Sequence, residues 1–174
     1  FTKEWGITVS TSTVLETDPN KYYSGYPFMN IPSYADEVLS SKYASLSTGL
    51  VTPYSVPLYT EFTEKDNRST EVLLSFTNTA VAMPKGAPED WKIEDATEKG
   101  PFEAAVIGKR TTYSGITELT STVTVFGSYV MADSSALSTS LYANAEYLLD
   151  VFNSVLERME SRARMLTAEQ EVTK

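Results

Sequence analysis

The chain has 174 residues, with 23 acidic against 14 basic side chains for a net charge of −9, and it contains neither cysteine nor histidine. That balance opposes a phosphate backbone or an anionic membrane surface as partner, and no basic patch with interleaved aromatics offsets it, so no nucleic-acid binding is expected. Without thiols there are no disulfides, thiol nucleophiles or thiolate metal sites; without imidazole the usual general base, zinc ligand and neutral-pH switch are missing.

The length suits one domain, able to bury roughly two-thirds of its unfolded surface. No window approaches the ~20 consecutive apolar residues of a membrane-spanning helix. The basic and apolar regions of a signal peptide are also missing. The chain opens on Phe1 in "FTKEWGITV", which reads as the middle of a domain, so a processed chain or an excised piece is expected.

In chain order, "EWGITVSTSTVLETD" reads as one or two short strands after the end of a helix. "PNKYYSGYPFMNIPSYADEV" is crowded with Pro, Gly, Asn and Tyr and reads as a long loop with aromatic anchors. "ADEVLSSKYASL" suits a short helix or an edge segment. "TGLVTPYSVPLYTEF" is interrupted by Pro53 and Pro57, so it is expected to be extended and at an edge or leading into a turn. "STEVLLSFTNTAVAM", with Val72, Leu73, Leu74 and Phe76 together, reads as a buried strand of a covered sheet.

"PKGAPEDWKIEDATEKGPF" is an acidic loop. "FEAAVIGKRT" resumes a buried strand, and "SGITELT" turns back toward "STVTVFG", the next one. The C-terminal segment reads as a helix, with Ala145, Leu148, Leu149, Phe152, Val155, Leu156 and Met159 as its apolar stripe. Glu146, Asp150, Glu157 and Arg158 fall on the other face. Strands followed by a packing helix give an α/β class.

The stretch after the last strand, from Gly127, raises the question of a nucleophile. A catalytic serine needs a base, and Ser128 has no histidine available; Lys109 or Lys99 is the formal substitute, and "FGSYV" lacks the second glycine of a nucleophile elbow. A tight turn at Gly127, with Ser128 and Asp133 satisfying loose backbone donors, is the favoured reading. Glu89, Asp90, Glu94, Asp95 and Glu98 could serve hydrolysis or hold a divalent cation, but they alternate with lysines and read as a solvated charge run.

Tyr22, Tyr23, Tyr26, Phe28 and Tyr34 either dock a partner or stack on sugars, or they pack over a sheet edge. "NRS" at Asn67 matches a glycosylation sequon, a pattern too common to carry weight. No cofactor, metal cage or phosphate loop is expected.

The order of "LLSFTNTAVAMPKGAPEDWKIEDATEKGPFEAAVIGKR", "STVTVFGSYVMADSSAL" and "NAEYLLDVFNSVLE" resembles the extracytoplasmic domain of gliding-motility-type ABC transporter auxiliary components. The opening "EWGITVSTSTVLET" and "VTPYSVPL" are similar to that family's mid-domain. The resemblance implies a three-layer α/β domain with a Rossmann-like, glutamine-amidotransferase-like sheet lacking that fold's catalytic residues, present here as a partial domain with a C-terminal packing helix. It implies a membrane-tethered parent chain facing the outside, with the permease and ATPase subunits of the same system as partners. The chain departs from the pattern at Ser128 and Val130, where the family carries an acidic pair, and it lacks the tryptophan near the helix end. Asn144 is expected to cap the final helix.

The function expected is therefore a non-enzymatic accessory or interaction domain at the extracytoplasmic face of the membrane. Its contacts are placed at Gly127, Ser128 and Asp133, since open α/β sheets bind at carboxyl strand ends, and at Tyr22, Tyr23 and Tyr26. A homo-oligomer is compatible with this reading. A carboxylate-dependent hydrolase or a glycan-binding module is the alternative.

Overall fold

The computed structural model describes residues 1–35, 37–43 and 49–155. After a 3-10 turn at Thr2–Trp5 come β1 (Ile7–Val9), β2 (Thr13–Glu16), β3 (Met29–Asn30), β4 (Ser33–Tyr34) and α1 (Glu37–Tyr43). Then follow β5 (Thr52–Pro53), β6 (Leu58–Thr60), β7 (Glu64–Lys65), β8 (Arg68–Ser75), β9 (Ala80–Met83), β10 (Glu103–Ser114) and β11 (Thr117–Phe126). Two helical segments close the described chain, α2 (Ser134–Leu137) and α3, residues 144–155.

The expected three-layer α/β sandwich is not what forms. Seven strands make one antiparallel sheet: β10 lies beside β8, β4 and β7 share the outer edge of β8, and β6 and β11 share the other edge of β10. β1 pairs with β6, while β2–β9 and β3–β5 form two small sheets.

The link between the two longest strands leaves no room for parallel pairing, which needs a crossover of a dozen or more residues. β10 and β11 are joined by Gly115 and Ile116 alone, between the paired Ser114 and Thr117. Gly115, at φ +63°, takes the first central position of a two-residue hairpin, where glycine is the residue that tolerates that backbone.

The apolar run that suggested a covered parallel strand has another origin. Ala104 to Gly108 are consecutively buried in β10, and the register with β8 shifts twice between Glu103 and Val106. Both faces of β10 are covered, so both parities must be apolar. Ile107 joins a cluster with Leu74, Phe76, Phe102, Met131, Tyr43, Tyr147 and Val151. Val106 packs on Ile7 and Leu58 on the other side. There the N-terminal turn passes so close that a Cβ on Gly108 would sit 2.9 Å from the Trp5 carbonyl oxygen.

The proline-interrupted segment is also more central than expected, since β6 is flanked by β1 and β10 rather than lying at an edge. "STEVLLSFTNTAVAM" divides into β8 and β9, which belong to different sheets.

The C-terminal helix forms, but its buried face is shifted from the expected stripe. Asn144, Tyr147 and Val151 are buried, with Leu148 and Val155 packed against the core, while Leu149 and Phe152 are 61% and 64% exposed. The positions expected at Leu156, Glu157, Arg158 and Met159 lie outside the described residues. Asn144 is not a cap. It is the first helical residue, and its side chain turns away to the core.

Candidate functional site

An antiparallel sheet has no common carboxyl edge, so the crevice expected there loses its physical basis. Gly127, Ser128 and Asp133 are nonetheless informative. Gly127 ends β11: its N–H donates to Ala104 O at 2.8 Å and its carbonyl accepts from Val56 N–H at 2.9 Å. A Cβ at Gly127 would fall 2.5 Å from the Val56 carbonyl oxygen and 2.7 Å from Ser55 Oγ, so two backbones can meet there only over glycine.

Ser128 is buried, donating its hydroxyl proton to Pro53 O at 2.5 Å and accepting from Met131 N–H at 3.2 Å. A serine whose proton is committed to a backbone carbonyl is not poised for attack. Lys109, one formal base, is ion-paired with Glu71. Asp133 caps α2, accepting from Ser135 N–H at 2.9 Å; those bonds to Ser135 hold its carboxyl below the usual range. It is exposed and takes no part in the Ser128 contacts.

The tyrosine loop separates into anchors and one exposed ring. Tyr22 bridges to Asn30 along the backbone. Tyr23 lies edge-on to Tyr142, centroids 5.1 Å apart. Burial raises the Tyr23 hydroxyl, with a Gly49 backbone bond pulling the other way.

Between Tyr23 and Tyr26, Ser24 and Gly25 both adopt positive φ, 57° and 76°, and Tyr26 N–H closes the turn on Tyr23 O at 3.0 Å. That turn points Tyr26 into solvent, 55% exposed. Its ring lies 5.4 Å from Phe28, and Phe28 stacks on Tyr54 at 4.4 Å with planes 12° apart.

Tyr54 is the site residue that sequence reasoning passed over. It follows Pro53 and has φ +49°, a left-handed conformation that a bulky residue adopts at a cost of about 1–3 kcal/mol. Its N–H donates to Phe28 O at 3.0 Å, and the ring stays 52% exposed. The neighbours of Tyr54 are held from the opposite side: Ser128 fixes Pro53, and Gly127 fixes Val56. Thus Gly127, Ser128 and Tyr26, singled out for separate reasons, meet through Phe28 and Tyr54. The available signal was an aromatic between two prolines, "PYSVP", in a segment otherwise read only for its strand-breaking.

The carboxylates do not assemble into acid–base machinery. Glu89, Asp90, Glu94 and Glu98 are exposed, Asp95 accepts from Lys92 N–H at 2.9 Å within its own turn, and Glu98 accepts from the Tyr59 hydroxyl, which burial first and that bond second push up. Glu64, Asp66 and Glu118 line an open cleft of about 470 Å³ with Arg68 and Tyr113. All three are solvent-exposed, whereas a general acid kept protonated at neutral pH needs an environment unlike its partner's.

Glu103 is the carboxylate that burial lifts above its ordinary value, with Thr60 as its bonded partner at 2.7 Å. It is not among the residues lining that cleft. Glu16 is buried with both oxygens satisfied, by Thr17 N–H, Asp18 N–H and the hydroxyls of Thr77 and Thr79, so it is a structural tie between β2 and the turn before β9. Among the described residues no cluster of acidic side chains has metal-holding geometry, and no helix is long and apolar enough to cross a membrane.

These features define the class: a β-rich domain whose buried serine turn supports a surface column of aromatic rings. In comparisons with known protein families, curated proteins and solved structures, nothing matches this chain.

Proposed function

We propose that the chain is a non-enzymatic interaction domain whose docking surface is the column Tyr26–Phe28–Tyr54. The observation that carries this is the left-handed backbone of Tyr54, which holds a large ring half-exposed against the local conformational preference. Aromatic rings with polar tips are the groups enriched at protein interfaces.

The stacking favours a protein over a sugar as partner. Phe28 stacks face-on against Tyr54 and is tilted against Tyr26, so the rings do not lie side by side as a flat platform. The order of the sequence segments supports a partner in an ABC-type transport system, its permease and ATPase subunits, with the parent chain anchored at the outer face of the membrane. That placement rests on segment order, without the α/β architecture that accompanied it.

The test uses immobilised domain, wild type and Tyr26→Ala/Tyr54→Ala, exposed to detergent-solubilised membranes of the source cell with mass-spectrometric identification. Permease and ATPase chains retained by the wild type and lost from the variant are expected. Equal retention by both forms moves the partner surface elsewhere, and retention of neither subunit by the wild type removes the transporter assignment.

A further inference from the structure

The longest unprotected edge in the sheet belongs to β11. Its inner side pairs with β10 in an unbroken register from Ala105–Phe126 to Ser114–Thr117. The parity of this ladder is fixed at both ends. Gly127 N–H bonds Ala104 O, and the pair Ser114–Thr117 closes a two-residue turn, so odd-numbered β11 residues bond toward β10.

The N–H and C=O groups of Thr120, Thr122, Thr124 and Phe126 therefore point outward, and no backbone partner meets them among the described residues. Natural edges of this length carry lysines, prolines or bulges that block pairing. β11 has no lysine, arginine, proline or bulge, and a single charge, Glu118, near one end.

We infer that this edge pairs with the same edge of a second copy, antiparallel about a two-fold axis at Thr122. Parity limits the register. Outward residues must face outward residues, and centring on Thr122 places Thr120 opposite Thr124 and Glu118 opposite Phe126, which engages every outward position of the strand.

Centring on Ser121 would leave Phe126 opposite the turn residue Ile116. The two-fold separates the two Glu118 side chains to opposite ends, so the only charge of the strand never meets its copy. Threonines from both chains then form a ladder on one face, a favourable cross-strand pairing. The sheet becomes continuous through the dimer, an isologous interface made from one patch.

Because the chain has no cysteine, single-cysteine spin labels give a clean readout. Thr122→Cys should report a short interspin distance, below about 20 Å, while Ile116→Cys, six residues from the axis, should report about 40 Å at ~3.4 Å rise per residue. Sedimentation velocity should show a concentration-dependent dimer. Thr122→Pro, which deletes an outward N–H and spares the β10 ladder, should weaken dimerisation by roughly tenfold or more. Thr120→Lys/Thr124→Lys, with far-ultraviolet circular dichroism to confirm folding, supplies the same test without a proline.

A monomer at several hundred micromolar overturns the inference, as does a dimer with a short distance at Ile116 instead of Thr122. A dimer indifferent to the edge substitutions, or an edge filled by another segment of the parent chain, overturns it as well.

Discussion

Two regions of this molecule are built from similar residues and held in opposite ways. The segment Val51–Val56 has almost no regular structure, yet it is pinned by buried polar bonds. Asn144 accepts from Val51 N–H at 3.0 Å and donates to Val51 O at 2.8 Å and Met131 O at 2.9 Å, doing with one side-chain amide what a neighbouring strand would do. Ser128 and Gly127 complete the hold.

The arm formed by residues 111–121 of β10 and β11 is the reverse: regular in backbone, and exposed over most of its side chains, with Tyr113 at 70% and Ile116 at 97%. Regularity and stability are thus separate properties here. The irregular segment lies among fully buried groups, while the regular one rests on local pairing and is the element expected to open first.

The largest effect expected from breaking this contrast is at Asn144. Asn144→Ala leaves Val51 N–H, Val51 O and Met131 O buried without partners, and a loss of about 3 kcal/mol is expected. Denaturant unfolding measures it. Asn144→Asp is the sharper variant, since it keeps size and the acceptor for Val51 N–H but sets a carboxylate against two carbonyls. It should be at least as damaging as alanine. If aspartate were tolerated, the donors would not be what holds the segment.

A smaller and opposite effect is expected under the pinned side, in the tyrosine cluster. Tyr34, Tyr43 and Tyr147 have centroids 5.4–5.7 Å apart. Tyr43 donates its hydroxyl to Asp150, which Lys42 also meets, and those bonds, Lys42 first, hold Asp150 below the usual carboxylate range. The Tyr34 hydroxyl is buried with no hydrogen-bond partner among the described residues. Tyr34→Phe should therefore stabilise the protein at neutral pH, by about 1 kcal/mol.

The same group gives a pH dependence. Burial, with Tyr23 nearby, pushes Tyr34 up to about 12 from 10.0. Its proton is then kept by the folded chain and lost by the unfolded one, so the stabilisation is complete below pH 10 and falls away as pH rises toward 12. Unfolding midpoints between pH 9 and 12 should decline less steeply in Tyr34→Phe. An unchanged slope would place the alkaline sensitivity on Tyr43 and the other phenols.

How much of this was legible follows from the same contrast. The β10–β11 turn-back, the strands at β1, β2 and β8, the loop character of residues 84–101 and the final helix carry local signals of periodicity and turn chemistry. Strand direction carries none. The run Ala104–Gly108 is apolar because both faces of β10 are covered, and that is equally true of a parallel strand between helices.

The helix face was misjudged because Leu149 and Phe152 are apolar and exposed, while Asn144 is polar and buried; its partners on Val51 are 93 positions away. Ser128 was legible as a turn residue from the glycine before it. Its role in holding Pro53, and through it Tyr54, depends on a contact across 75 positions. The aromatic column is half visible in sequence, as Tyr26 and Phe28, and half hidden in a proline-flanked tyrosine.

The smallest expected effect lies at the tip of the arm and is the one that most sharpens the contrast. Ile116→Ser removes a large apolar side chain that is 97% exposed, so the unfolding free energy measured at low micromolar concentration should stay within about 0.5 kcal/mol of wild type. An Ile buried in the main cluster, Ile107, shortened to alanine should cost about 3 kcal/mol. Amide exchange separates the two regions without mutation. The amides of residues 118–122 should exchange in seconds to minutes, while Val51 and Val106 exchange near the rate of global unfolding. Slow exchange in the arm of the dilute monomer, or a large loss at Ile116, would mean that the tip is packed against the body and that regular pairing in this chain does not stand apart from its core.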